Sequence, residues 1–284
     1  MNRAHNRINR RLTKSKVVEW VIIFFAFLIT LPLIAIIYFV LKTGVSKLSW
    51  HFLTNIPKPV GEMGGGIANA LIGSLMIVFL AAIIAVPIGL LCGIYLSENK
   101  DTKLARYSRL AVDVMQGTPS IVIGIVIYFW LVKPIGSFSA LSGSAALAIM
   151  MLPIVIRSTE ETLKLLPSTL KEAGLALGLP YQRVILKVVV PCGFSGILSG
   201  VMLSIARIAG ETAPLLFTAF GNPYVSTNYL KPMQSLPLLI FNYATSPYEE
   251  WHDLAWGASL ILLIWVLTLN ITTKFITRKW KVQL

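Results

Sequence analysis

Apolar positions in this 284-residue chain come in long, nearly unbroken blocks. They lack the alternating or every-third-and-fourth pattern of half-buried soluble elements. A helix needs about 20 mostly apolar residues to cross a bilayer, and six blocks approach or exceed that. They cover residues 17–41, 69–96, 114–132, 140–156, 192–220 and 254–273, the fourth being the shortest. No charged residue occurs in 69–97 or in 254–273. Between the fourth and fifth blocks, residues 158–191 are too polar to span and too patterned to be disordered. Between the fifth and sixth, Leu236-Pro-Leu-Leu-Ile-Phe-Asn-Tyr243 is too short to span and reads as an interfacial helix. The expected architecture is all-α: a polytopic membrane protein with six transmembrane helices, residues 17–284 forming one domain behind a basic segment, 1–16.

Composition agrees with the pattern. Hydrophobic residues make up 56% of the chain and charged ones 13%, with a mean hydropathy of +0.75. Soluble domains carry about a quarter charged residues, and disordered chains are poor in apolar ones, so both classes are excluded. The apolar run at 17–41 exceeds the 7–15 residues of a signal-peptide core, and no small-x-small cleavage site precedes Lys42. It is expected to stay attached as the first span.

Charge then orients the spans. Lys plus Arg number 25 against 12 acidic residues, a net +13. On a soluble protein that excess would point to nucleic acid; here no nucleic-acid partner is expected, because the charges sort by loop. Nineteen basic residues fall on the N-terminal segment, the second-to-third loop (Lys100, Lys103, Arg106, Arg109), residues 157–187 and the tail; five fall on the opposite side. Both termini are therefore expected in the cytoplasm. Trp50, Trp130, Trp251 and Trp256 near outer ends, and Trp20 and Trp280 near inner ones, suit interfacial belts. Cys92 and Cys192 lie in apolar runs and His5, His51 and His252 are scattered, so neither a disulfide framework nor a metal site is expected.

Within 158–191, Thr169 and Glu172 have capping-box spacing behind Pro167, Gly178 suits a helix C′ position and Pro180 the first turn of a second helix. Leu166, Leu170, Ala173 and Leu177 share one helical face. Periodicity alone leaves two readings open: a helix lying on the membrane, or one received in a groove of a cytoplasmic partner. Spacing favours the second. Glu172-Ala173-Gly174, three residues, Gly178, nine residues, then Val188-x-Val190-Pro191 resembles the EAA loop of ABC-importer permeases, Glu-Ala-Ala, three residues, Gly, nine residues, Ile-x-Leu-Pro. Gly174 replaces the last Ala, which should loosen the helix by up to about 1 kcal/mol; Val188 and Val190 replace Ile and Leu. The resemblance implies a MetI-like permease architecture, with Glu172, Ala173, Gly174, Gly178 and Pro191 belonging to a coupling helix that docks on an ATP-binding subunit. The chain has no G-x-x-x-x-G-K-[ST] phosphate loop, so that subunit is expected to be separate.

The fifth block carries Arg207 and Glu211, four apart, and so on one face of a continuous helix. A helix starting near Cys192 would place Arg207 about 22 Å along it, deep in a core roughly 30 Å thick, at a cost of about 2.5–3.5 kcal/mol. An internal ion pair that only holds helices is one reading. The other is a substrate path, in which the planar guanidinium meets an oxyanion such as phosphate and Glu211 keeps binding weak enough for release.

Arg207-Ile-Ala-Gly-Glu-Thr-Ala-Pro-Leu-Leu-Phe217, Gly93-Ile-Tyr-Leu-Ser-Glu98, Gly64-Gly-Gly-Ile-x-Asn-Ala70 and Leu152-Pro-Ile-Val-Ile-Arg-Ser-Thr-Glu160 resemble the PstA subfamily of phosphate-import permeases. The likeness runs from about residue 64 to 220. It implies an ATP-driven importer that moves phosphate by alternating access across a bacterial plasma (inner) membrane. It also implies a second, similar permease related by a pseudo-two-fold axis, two ATPase copies and an external phosphate-binding protein. ATP and Mg would sit on the ATPase, and no cofactor on this chain. Arg207, Glu211 and Thr212 are its candidate path residues. Arg157 fits two roles, meeting phosphate at the inner exit or anchoring the fourth span. Thr118 and Ser120 flank Pro119 in the third span; they either line the path or mark a packing kink. The competing functions are a permease for sulfate, molybdate or a peptide; a secondary transporter, against which the coupling loop argues; and a membrane enzyme, for which no His, Asp or Ser cluster is found.

Overall fold

The computed structural model describes residues 2–62 and 64–279, with side chains over 14–62 and 64–278. Trp280 and Lys281 lie outside the described residues, as do the side chains of the basic segment before Lys14. Twelve helices follow in order among the described residues, taking each gently joined run as one. They are α1 (Asn2–Gly44), α2 (Trp50–Thr54), α3 (Ala68–Glu98), α4 (Lys103–Gly117), α5 (Ser120–Ile135) and α6 (Ala140–Lys164). They continue as α7 (Ser168–Ala176), α8 (Tyr181–Cys192), α9 (Phe194–Ala209), α10 (Ala213–Leu216), α11 (Leu236–Ala244) and α12 (Glu249–Lys279). The Lys14–Lys47 stretch, α3, α6 and α12 are each long and apolar enough to cross a membrane, and the pairs α4–α5 and α8–α9 bring the number to six if each bent pair is one span.

The bends correct two of the expected spans. The third does not run straight from 114 to 132: α4 meets α5 at 104°. Pro119 pushes the residue before it out of helical geometry, and Thr118 is extended, with ψ 127°. The fifth is not one helix over 192–220. It turns by 70° at Gly193, and α9 stops at Ala209. The fourth is longer than expected, reaching Lys164, so the start of the 158–191 segment is still helix.

The centre of the bundle is α3 against α6. Along α3, Ala81, Ala85, Gly89 and Gly93 recur every fourth residue on one face, all buried. Small residues in such a stripe let helices in a membrane approach closely. A Cβ on Gly89 would lie 2.7 Å from Val155 Cγ1, and one on Gly93 2.6 Å from Thr159 Cβ. Ser144 Oγ adds a hydrogen bond across the pair, to the Ile77 carbonyl at 3.0 Å. On an adjoining face of α6, Gly193, Gly196 and Gly200 lie against Leu163, Thr162 and Ser158, so α9 runs antiparallel to it.

The interfacial helix expected at 236–243 is instead an inserted one. Leu236, Leu238 and Leu239 of α11 are fully buried. The Leu236 amide donates to Ser74 Oγ of α3 at 2.7 Å, and α11 packs along α12. Its apolar face is covered by protein rather than by lipid. The opposite holds for α1, where the apolar window within Lys14–Lys47 has no buried residue. It touches α12 at its C-terminal end, where Gly44 meets Leu260.

Candidate functional site

Arg207 sits in the last turn of α9, thirteen residues after Phe194, about 20 Å along the helix. The α9–α6 register carries it past Ser158 toward the middle of α6, a helix of 25 residues and so about 37 Å long. Arg207 is therefore at mid-depth of the span. The cationic side chain also lies at a helix C-terminus, where the dipole favours it. Helix geometry ends at Gly210, so Glu211 and Thr212 leave the α9 face; the i,i+4 pair expected from spacing does not form. Among the described residues Arg207 has no ion-pair partner, its side chain is exposed and Glu211 is half-buried. An unpaired arginine at mid-depth is tolerated only toward a water-filled space or a neighbouring protein. The same holds for the non-helical backbone at 210–212, whose carbonyls and amides cannot face lipid.

The two breaks meet. A Cβ on Gly124 of α5 would lie 2.7 Å from Pro214 Cα of α10, so α5 and α10 touch backbone to backbone. Ser120 is one turn before Gly124 on the same face, about 6 Å away along the axis. Thr118 spends its hydroxyl on the Val114 carbonyl, 2.8 Å away. Arg207, Glu211, Thr212, Thr118 and Ser120 thus belong to two chain breaks joined through one contact.

Arg157 does not join them. It follows the register one level lower, beside Gly200, about 10 Å from Arg207 along α9. There it pairs with Asp113 of α4 and, at 3.3 Å, with Glu160. Glu160 is fully enclosed and also binds Arg109 Nε at 2.7 Å and Lys164 Nζ at 2.5 Å. Arg109 donates further to the Leu96 and Lys100 carbonyls, at 2.7 and 2.9 Å, capping the end of α3.

The loop between α6 and α9 has the expected helix–turn–helix form. Gly178 has φ +76°, the left-handed geometry a side chain resists. Its amide donates to the Leu175 carbonyl at 2.9 Å and that of Leu179 to Gly174 at 3.4 Å, a Schellman end to α7. The capping box does not form: Pro167 takes the N-cap position and no side chain caps the helix. Glu172 and Ala173 are exposed, as is Leu177. Gly174 is buried, and a Cβ there would lie 3.0 Å from both Val184 γ-carbons of α8, so the departure from Ala lets the two helices close. Pro191 is exposed, just ahead of the bend at Gly193. Lys171 and Tyr181 both bind Glu98 at the end of α3. Burial disfavours the Lys171 charge, but hydrogen bonds to Glu98 and Tyr181 and the Glu98 charge outweigh it and raise its pKa. Its ammonium contributes fully below the usual lysine range and is lost only as pH rises through the raised value.

Residues 85–279 match the family described as binding-protein-dependent transport system inner membrane component. The chain belongs to that family. Among curated relatives, the permease is 42% identical over 250 residues to the phosphate transport system permease protein PstA of Yersinia pestis, covering 88% of this chain and 85% of that one. It is 38% identical over 266 residues to the probable PstA of Methanocaldococcus jannaschii, covering 93% and 94%. In fold it is similar to an inward-facing MetNI methionine ABC transporter chain, with a TM-score of 0.66 at 19% identity over 76% of the permease and 96% of that chain. An amino acid ABC transporter chain gives a TM-score of 0.58 at 18% identity, over 75% and 93%.

Sequence reading of the permease missed the Glu160 cluster as a unit. Arg109 and Glu160 are 51 positions apart, and only a signal for α4 lying against α6 would have joined them. That reading did not single out the Ala81–Gly93 stripe either, although a four-residue repeat of small side chains signals such a contact.

Proposed function

We propose that this permease carries inorganic phosphate into the cytoplasm by alternating access, driven by ATP hydrolysed on separate subunits. The observation that carries the reading is the mid-depth break of the fifth span, with an unpaired arginine beside it. Arg207 would offer its planar fork to phosphate oxygens. Thr212 and Ser120 supply hydroxyls near the two breaks, Thr118 could do so only by giving up its bond to the Val114 carbonyl, and Glu211, a like charge to the substrate, would keep the site from holding its anion too tightly. Arg157, one level lower and already paired, is read as an inner-exit residue only when its carboxylate partners shift. The relatives named as phosphate permeases support the substrate.

The chain has no phosphate loop for ATP, so ATP and Mg are assigned to two copies of a cytoplasmic ATPase docked on α7. The uncovered α1 and exposed α9 end suit a second, similar permease on a pseudo-two-fold axis, with an external binding protein delivering phosphate. The basic segments support cytoplasmic termini, in a bacterial plasma (inner) membrane.

The test is uptake by proteoliposomes holding this chain, its partner permease and the ATPase, with ATP on the ATPase side. Labelled phosphate accumulates and excess unlabelled phosphate competes; sulfate does not. Competition by sulfate would retain the importer and discard the substrate. Glu172→Ala, on the exposed α7 face, weakens ATPase association roughly tenfold or more, as for an interface anchor; hydrolysis and uptake fall together. Unchanged binding by affinity capture would remove α7 from the interface.

A further inference from the structure

Three cations converge on one enclosed carboxylate at the foot of the coupling loop, two of them, Arg157 and Lys164, from its own helix α6 and one, Arg109, from α4. Lys164 ends α6, four positions before α7 begins. Arg109 lies on α4, and Arg157 carries a second tie to the same helix through Asp113. Arg109 and Asp113 are one turn apart, so α4 is gripped at two points on one face. Eight residues beyond Arg109, α4 ends at the Thr118–Pro119 bend, on whose far side α5 touches Pro214, just past the Arg207 break.

We propose that Glu160 is a positioning residue for energy coupling, tying the base of α7 to α4 so that movement of α7 swings α4 about Thr118–Pro119 and shifts α5 against the Arg207 break. The proposal rests on α7 as the ATPase-docking helix. A buried ionic cluster is a poor device for stability alone, since apolar residues of similar volume do as well or better. It is a good joint, because its members can exchange partners without losing charge balance. Beside the joint, on the Lys164 side, a cleft of about 150 Å³ separates the end of α3 from the start of α7, lined by Glu98, Lys164, Ser168 and Lys171 together with Leu166 and Leu170. Glu98, holding Lys171 and Tyr181, links α3 to both helices of the loop. Movement of α7 therefore has a route to α3 and α4 through carboxylates, alongside the apolar packing of α4 and α8 on α6.

The experiment measures phosphate taken up per ATP hydrolysed by the full reconstituted transporter. Glu160→Gln lowers that ratio about tenfold or more, as a severed coupling does, while ATPase association and hydrolysis persist. Neutralising an enclosed carboxylate that faces three partly buried cations can stop the chain from folding, so Arg109→Gln is the second variant. Its side chain is 20% exposed and Glu160 keeps two cations; the ratio falls in the same way. A wild-type ratio in assembled Arg109→Gln, or uptake and hydrolysis falling in parallel, overturns the proposal. Glu172→Ala separates the two failures. Full ATPase binding in that variant defeats the docking reading and this one with it. Lost binding there, beside intact ratios in the Glu160 and Arg109 variants, defeats the Glu160 role alone.

Discussion

Phosphate uptake by the reconstituted transporter falls roughly 10- to 100-fold when Arg207 is replaced by alanine, while the complex still assembles. The size follows from losing hydrogen bonds to a charged ligand, about 1.5–3 kcal/mol, at tenfold per 1.4 kcal/mol. Assembly survives because Arg207 forms no ion pair among the described residues and its side chain is exposed at the end of α9. Arg207→Lys recovers only part of the rate, since an ammonium keeps the charge but not the planar fork. Initial rates of labelled phosphate uptake, with affinity capture of the ATPase from the same preparations, decide it. Normal uptake by Arg207→Ala would make the residue structural and move the oxyanion contact elsewhere on the path.

Replacing Gly73 with alanine leaves little folded permease. A Cβ at this position would lie 1.9 Å from the Gln234 carbonyl oxygen and 2.8 Å from Met233 Cγ. The obstacle is backbone, and it is pinned: Leu236 donates to Ser74 next door, and α11 behind it is buried between α3 and α12. Overpacking of this kind costs about 3 kcal/mol or more, a large share of a typical stability of about 5–15 kcal/mol. Gly117→Ala is the control, because a Cβ there meets nothing within 4 Å. Monodispersity and thermal unfolding in detergent compare the two. Equal melting would mean that the α3–α11 contact is softer than its geometry.

Residues 69–96 were legible as a span because they are free of charge and form one continuous helix, which covers Ala68–Glu98. The breaks were not legible in their consequences. Pro119 signalled an interruption, but the 104° turn depends on α4 finding α6 through Asp113 and Arg109. The spacing of Arg207 and Glu211 promised a pair only if the helix continued, and Gly210 ends it. Thr169 and Glu172 have capping-box spacing, yet a box needs Thr169 at the N-cap, and Pro167 holds that place. Gly174 looked like a local loss of helix propensity; its contact with Val184 is tertiary and invisible to a propensity scale. What composition, charge and spacing specified was the apolar blocks and the helix–turn–helix form of the loop between the fourth and fifth of them. What they left open was every feature that depends on residues far apart in sequence.

The bare surface of α1 has a consequence for sequence drift. A helix whose apolar window is covered by none of its own chain is constrained by hydropathy rather than by shape, so leucine, isoleucine, valine and phenylalanine should exchange there at little cost. The Ala81–Gly93 face of α3 has no such freedom, since each position admits only the smallest side chains. Across a mutational library the first span would tolerate most apolar replacements and the second almost none on that face. Relatives separated long ago would then diverge in α1 first while keeping the bundle that α3 and α6 build.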